Sequence, residues 1–209
     1  MSFSALTSLR NVYIAVIFVL ALSTPADVYA GPDLSLQSST PSRSLPKARS
    51  DFPTPQDSDQ VFYVQRSMNS NTVVYKVNFA SDGSLSSNRP MSAYWRRFNT
   101  TGAVKSLSFL EKSFAYGVST HPNADGETHA VKFAALPKLS VTLRQSGKHK
   151  AALWANINNQ EYRMISAFLD LDESGLFPKV VRLRLYTSEP NTGLFVTHLV
   201  SVSGGDIRK

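Results

Sequence analysis

The sequence predicts an all-β domain: a mainly antiparallel meander, barrel or sandwich of about 8–10 strands, with one short α-helix. Three observations carry that expectation. From Gln60 onward the apolar residues recur with a period of two, not 3.6. Turn-forming residues interrupt the chain about every 10 residues, the spacing of sandwiches and barrels. No strand–helix–strand alternation appears, which disfavours a parallel, doubly wound sheet.

Each element follows from its own pattern. In Thr72–Phe79, Val73, Tyr75, Val77 and Phe79 share one face, while Thr72, Lys76 and Asn78 share the other. Leu139, Val141 and Leu143 alternate with Ser140, Thr142 and Arg144. Val181, Leu183 and Leu185 alternate with Arg182 and Arg184. Further strands are expected over 60–66, 92–98, 128–135, 150–157, 160–169 and 194–202, from β-branched and aromatic content. Turn chemistry separates them: Ser81-Asp82-Gly83, Asn99-Thr100-Thr101-Gly102, Ser146-Gly147, Asn158-Asn159 and Pro190-Asn191-Thr192-Gly193. Ser108-Phe109-Leu110-Glu111 has the capping-box form that starts a helix. Leu107, Leu110 and Phe114 give that helix an apolar stripe, and Gly117 is placed to end it.

The ends of the chain read differently. Arg10 precedes the apolar run Val12–Leu22, which is 11 residues long. A membrane-spanning helix needs about 20 such residues. Pro25 breaks the run, and Val28-Tyr29-Ala30 is a small-residue cleavage pattern. Residues 1–30 are therefore expected to be a signal peptide, with the rest secreted or periplasmic and carrying no transmembrane helix. Residues 31–57, with six Ser and five Pro, read as a disordered linker. The domain is then 58–209.

Zero cysteines exclude a disulfide scaffold, a thiol nucleophile and a Cys-ligated metal. The net charge of +7 resides wholly in residues 58–209, which hold 18 Lys+Arg and 11 Asp+Glu. That sign favours anionic partners such as acidic glycans or anionic lipid. With an exported address, nucleic acid is not expected as a partner. If the host is eukaryotic, Asn99-Thr100-Thr101 is a glycosylation acceptor.

The catalytic motifs are missing. There is no Gly-x-Ser-x-Gly elbow, no phosphate-cradling glycine loop and no His-Glu-x-x-His. No cofactor is expected. Asp170-Leu171-Asp172-Glu173-Ser174-Gly175 starts like a calcium loop but lacks its second half, with Val181 at position 12, and reads as a turn. His121, Asp125, Glu127 and His129 have the ligand types of zinc within an ordinary polar loop, and a metal-dependent hydrolase is one alternative. His198 alternates with Val196 and Val200, which makes it a core or barrel-lining residue.

The most distinctive stretch is Val61–Tyr75, with Arg66, Asn69 and Asn71 at a strand–turn–strand junction. Arg and Asn can hold a carboxylate or carbonyl, and aromatics can wall a pocket. The leading expectation is a non-catalytic binding module for a small amphipathic or anionic ligand. Its site residues would be Arg66, Asn69, Asn71, Tyr75, Tyr94, Trp95 and Tyr116. The competing expectation is a basic face of Arg96, Arg97, Arg144, Arg182 and Arg184 for acidic glycans or anionic lipid.

Phe62–Tyr75, the Tyr94-Trp95 strand, Phe114-Ala115-Tyr116-Gly117 and Phe177-Pro178-Lys179-Val180 together resemble the DUF4833 family of uncharacterised proteins. The resemblance spans about residues 60–202. It implies an exported domain and brings no activity with it.

Overall fold

A computed structural model describes residues 36–175 and 178–201. The expected signal peptide lies outside the described residues. The described residues form twelve strands and one helix. They are β1 (Leu36–Ser38), β2 (Gln60–Arg66), β3 (Asn69–Val77), β4 (Met91–Arg96), β5 (Val104–Ser106), α1 (Phe109–Phe114) and β6 (Val118–Pro122). Then follow β7 (Thr128–Phe133), β8 (Leu136–Gly147), β9 (Lys150–Ile157), β10 (Gln160–Asp172), β11 (Lys179–Ser188) and β12 (Phe195–Ser201).

All nine strands expected from the pattern are present. The three that were not expected are β1, β5 and β6, and these are the three free edges of the sheet. An edge strand completes one ladder only and needs no buried stripe, so its sequence carries little alternation. All three residues of β5 are exposed.

The architecture is one curled sheet that forks at β10. Along one side β10 pairs with β11. Along the other it pairs antiparallel with β9 over Gln160–Arg163, then parallel with β2 over Ser166–Leu169. One wing runs β2–β3–β4–β5 and the other β9–β8–β7–β6. The wings curl toward each other and close on a shared core. At its centre Phe62 lies 5.5 Å from Tyr75 and 5.7 Å from Phe133, and Tyr75 meets Phe133 edge-on at 5.1 Å. Val73, Tyr75, Val77, Val141, Leu143, Leu183 and Leu185 are buried, as their alternation requires, while Val181 is exposed.

The turns obey local chemistry. Asn158 and Asn159, between β9 and β10, have φ of 52° and 63°. Positive φ at both central residues is the twist a two-residue hairpin needs, and Asn tolerates it. At α1, the Ser108 side chain accepts from the Glu111 amide, and the Glu111 carboxylate accepts from the Ser108 amide. The helix is capped at Ala115, two residues before Gly117. Gly117 acts instead as a contact point. A Cβ there would lie 1.7 Å from the Lys112 carbonyl oxygen, so no side chain fits.

The linker expected over 31–57 is corrected for its described part. Residues 36–57 lie against the sheet. Leu36–Ser38 pair with β12, and Ser42 bridges to Phe195. Phe52 is buried against Phe168 and Tyr186, with Leu45 and Ala48 beside it. The Pro53 carbonyl accepts from Gln65 Nε2 at 2.8 Å. The segment has too few apolar residues for a core of its own. Proline-rich chain is already extended, so it lies along a sheet face at low entropic cost.

Candidate functional site

Six of the seven residues expected at the site converge, and they form a closed cluster. Arg66 ends β2 and is only 3% exposed. Its guanidinium stacks over Trp95 of β4 at 4.6 Å. Nη2 donates to Asn69 Oδ1 at 3.2 Å, and Nη1 makes a long bond, 3.5 Å, to the Tyr116 hydroxyl. Nε is buried without a partner. Among the described residues no carboxylate pairs with Arg66. A buried cation is costly unless its charge is spread or paired, and here Trp95 supplies the compensating π-face.

The rest of the cluster fixes the chain around that cation. Tyr116 meets Trp95 edge-on at 5.1 Å, and Trp95 Nε1 donates to Glu111 Oε1 at 3.0 Å. The Tyr75 hydroxyl donates to the Tyr116 carbonyl at 3.0 Å, and burial pushes its pKa up. Asn69 Oδ1 also accepts from the Asn71 amide, and Asn71 Oδ1 accepts from the Asn99 amide. These contacts tie α1 and the 115–117 corner to β3 and β4.

Tyr94, the seventh, points the other way. It neighbours Trp95 on the pleat, so it faces the opposite side of β4. It lines a cleft of about 850 Å³. Burial, with Asp57 nearby, pushes its pKa up to about 12. β5 pairs only with Tyr94–Arg96, leaving Met91–Ala93 as a free edge. The cleft crosses that edge from the gap between the wings. Ala93, Val118, Ala134 and Pro137 contribute apolar surface over the buried Met91, Leu107 and Phe133. Lys76, Arg89, Lys112 and Lys132 contribute cations, none of them in an ion pair among the described residues. The sequence reading missed these four. Lys76 and Lys132 look like ordinary outward residues of alternating strands, and only the curl of the sheet gathers them.

A second cleft, about 810 Å³, lies at the fork, where β2 and β9 diverge. Trp154, Arg163, Asp59 and Glu189 are among its walls.

The basic-face residues are mostly neutralised. Arg96 pairs with Asp57, Arg144 with Glu161, and Arg182 and Arg184 both with Asp170. The zinc alternative loses its geometry too. Among the described residues no three His, Cys, Asp or Glu side chains gather to hold a metal ion. The Asp125 carboxylate instead closes its own turn, accepting from the Glu127 and Thr128 amides and the Thr128 hydroxyl. Those bonds, the hydroxyl foremost, hold its pKa below the ordinary value. Among the described residues no helix is long and apolar enough to cross a membrane.

The family profile described as "Domain of unknown function (DUF4833)" matches residues 62–198. No curated protein and no solved structure matches the chain.

Proposed function

We propose that the chain, which belongs to the DUF4833 family, is an exported, non-catalytic binding module for a small amphipathic anion. The leader-like residues 1–30 support the export. One observation carries the binding: the cleft over the β4 edge joins apolar surface to four cations that have no ion-pair partner among the described residues. Its volume, about 850 Å³, is within the range of small-molecule sites. An acyl or aryl body would cover Ala93, Val118, Ala134 and Pro137. An acidic head would then meet Lys76, Arg89, Lys112 or Lys132. The Arg66–Trp95–Tyr116 cluster supports the site from behind by holding α1 and its exit corner in place.

The test is titration of a dansylated fatty acid, followed by fluorescence, with dodecanoate, dodecanol and maltose as competitors. Saturable binding displaced by dodecanoate and not by maltose is expected. Dodecanol should compete at least ~10-fold more weakly, since it lacks the charge. Replacing Arg89 and Lys132 together by Ser should remove that preference. Absence of saturable binding, or equal competition by all three, would overturn the reading.

A further inference from the structure

The described residues expose three large apolar side chains, Val104, Phe109 and Val181. Two of the three stand five residues apart on one segment, Val104 in β5 and Phe109 at the start of α1. Isolated exposed apolar residues are ordinary, but this pair flanks the cleft. Val104 is 57% exposed and lines it, and Phe109 is 79% exposed. On a helix, residues three and four apart share a face. Phe109 therefore shares its face with Lys112 and Ser113, both of which line the cleft.

Cations outnumber anions on the segment, with Lys105 and Lys112 against Glu111. Lys105 and Lys112 are exposed and in no ion pair among the described residues. Glu111, the acid between them, is engaged by the Ser108 amide and Trp95 Nε1. Asp57, the cleft's carboxylate, is held by Arg96. Leu107 is buried, and Gly117 packs against the Lys112 carbonyl, so the segment is pinned at both ends. A rigid ledge bearing exposed apolar tips among lysines is the pattern of an interfacial membrane contact.

We propose that the β5–α1 segment docks the protein on an anionic lipid surface. Phe109 and Val104 enter the headgroup region, Lys105 and Lys112 meet lipid phosphates, and the cleft mouth opens against the bilayer. This rests on the amphiphile reading only for its purpose: a ligand would pass between membrane and cleft without crossing water.

Co-sedimentation with vesicles tests it, using the chain as recovered from its expression host. Vesicles of phosphatidylglycerol mixed with phosphatidylcholine are compared with phosphatidylcholine alone. Binding to the anionic vesicles, falling steeply at high salt, is expected. Phe109→Ser should weaken the partition about 10-fold, because it removes an inserted ring. Lys105→Glu should weaken it by at least as much. Both positions are exposed, and an unchanged thermal midpoint verifies the fold. Equal binding to both vesicle types, or variants within twofold of the parent, overturns the proposal. The dansylated fatty acid, titrated in vesicle-free solution, separates the two ideas. Phe109→Ser should bind it like the parent. A parent that binds vesicles but not the probe defeats the cleft reading alone. One that binds the probe but not vesicles defeats the docking alone.

Discussion

Lowering the pH from 7.5 to 4 should destabilise the fold through one residue, His198. Its side chain is fully buried in β12 and packs against Tyr162, with ring centroids 4.6 Å apart. Thr187 Oγ1 spends its proton on the Val196 carbonyl at 3.2 Å. The same oxygen is 3.0 Å from His198 Nε2, so Nε2–H donates to it. Nδ1 is left as the acceptor for the Ser38 hydroxyl, 2.9 Å away. The imidazole is therefore satisfied when neutral. Burial lowers its pKa from 6.5 to about 4, and no carboxylate offsets that. The unfolded chain takes up the proton first. Stability is thus full above the unfolded value, falls as pH drops from about 6.5 to about 4, and then levels. The shift corresponds to about 3 kcal/mol, a large share of the roughly 5–15 kcal/mol of a typical domain. Urea midpoints should fall by roughly 1–2 M over that window. His198→Asn, which does not titrate, should start less stable but show a flatter profile. Carboxylates such as Asp125 and Glu161, whose pKa values are lowered by their hydrogen bonds, titrate in both proteins and cancel in the comparison. Parallel profiles for parent and variant between pH 7.5 and 4 would refute the assignment to His198.

Other positions give sharper contrasts between alternatives. Gly117→Ala must push the corner away from the Lys112 carbonyl, and should cost about 2 kcal/mol or more, read as a lower thermal midpoint. Arg66→Lys should destabilise more than Arg66→Met in the same assay. Lysine keeps the buried charge while losing the flat stack on Trp95 and the fork to Asn69 and Tyr116. Phe52→Ala should detach the 36–57 segment from Phe168 and Tyr186, at a cost of about 3 kcal/mol. Limited proteolysis should then cut within that segment before the sheet, and simultaneous cleavage of both would show that the segment is not held by Phe52.

Much of the fold was legible because its signals are local. Alternation in Thr72–Phe79 and Leu139–Gln145 reports which side of a strand meets oil and which meets water, and that choice survives in any sheet. The Ser108–Glu111 box and the paired Asn158-Asn159 turn work within a few residues, so they read correctly without a partner. The edges were not legible. β5 and β6 make one ladder each, and β1 lies in a Ser- and Pro-rich stretch with few apolar residues to bury, Phe52 among them. The sequence also groups Arg66, Trp95 and Tyr116 by residue type. The structure turns them inward onto each other and opens the cleft through Tyr94, one residue away on the opposite face.

By itself the sequence determined that residues from Gln60 onward build a mainly antiparallel β domain, where its turns fall, and that its excess charge is positive. These depend on period, turn chemistry and composition, which are properties of neighbouring residues. Only the tertiary structure decided that the sheet forks at β10, since two strands must compete for one edge before a fork exists. The curl that follows pairs most of the conspicuous arginines with carboxylates and leaves Lys76, Arg89, Lys112 and Lys132 beside apolar surface, in no ion pair among the described residues. Charge pairing depends on distance in space, and strand order sets that distance.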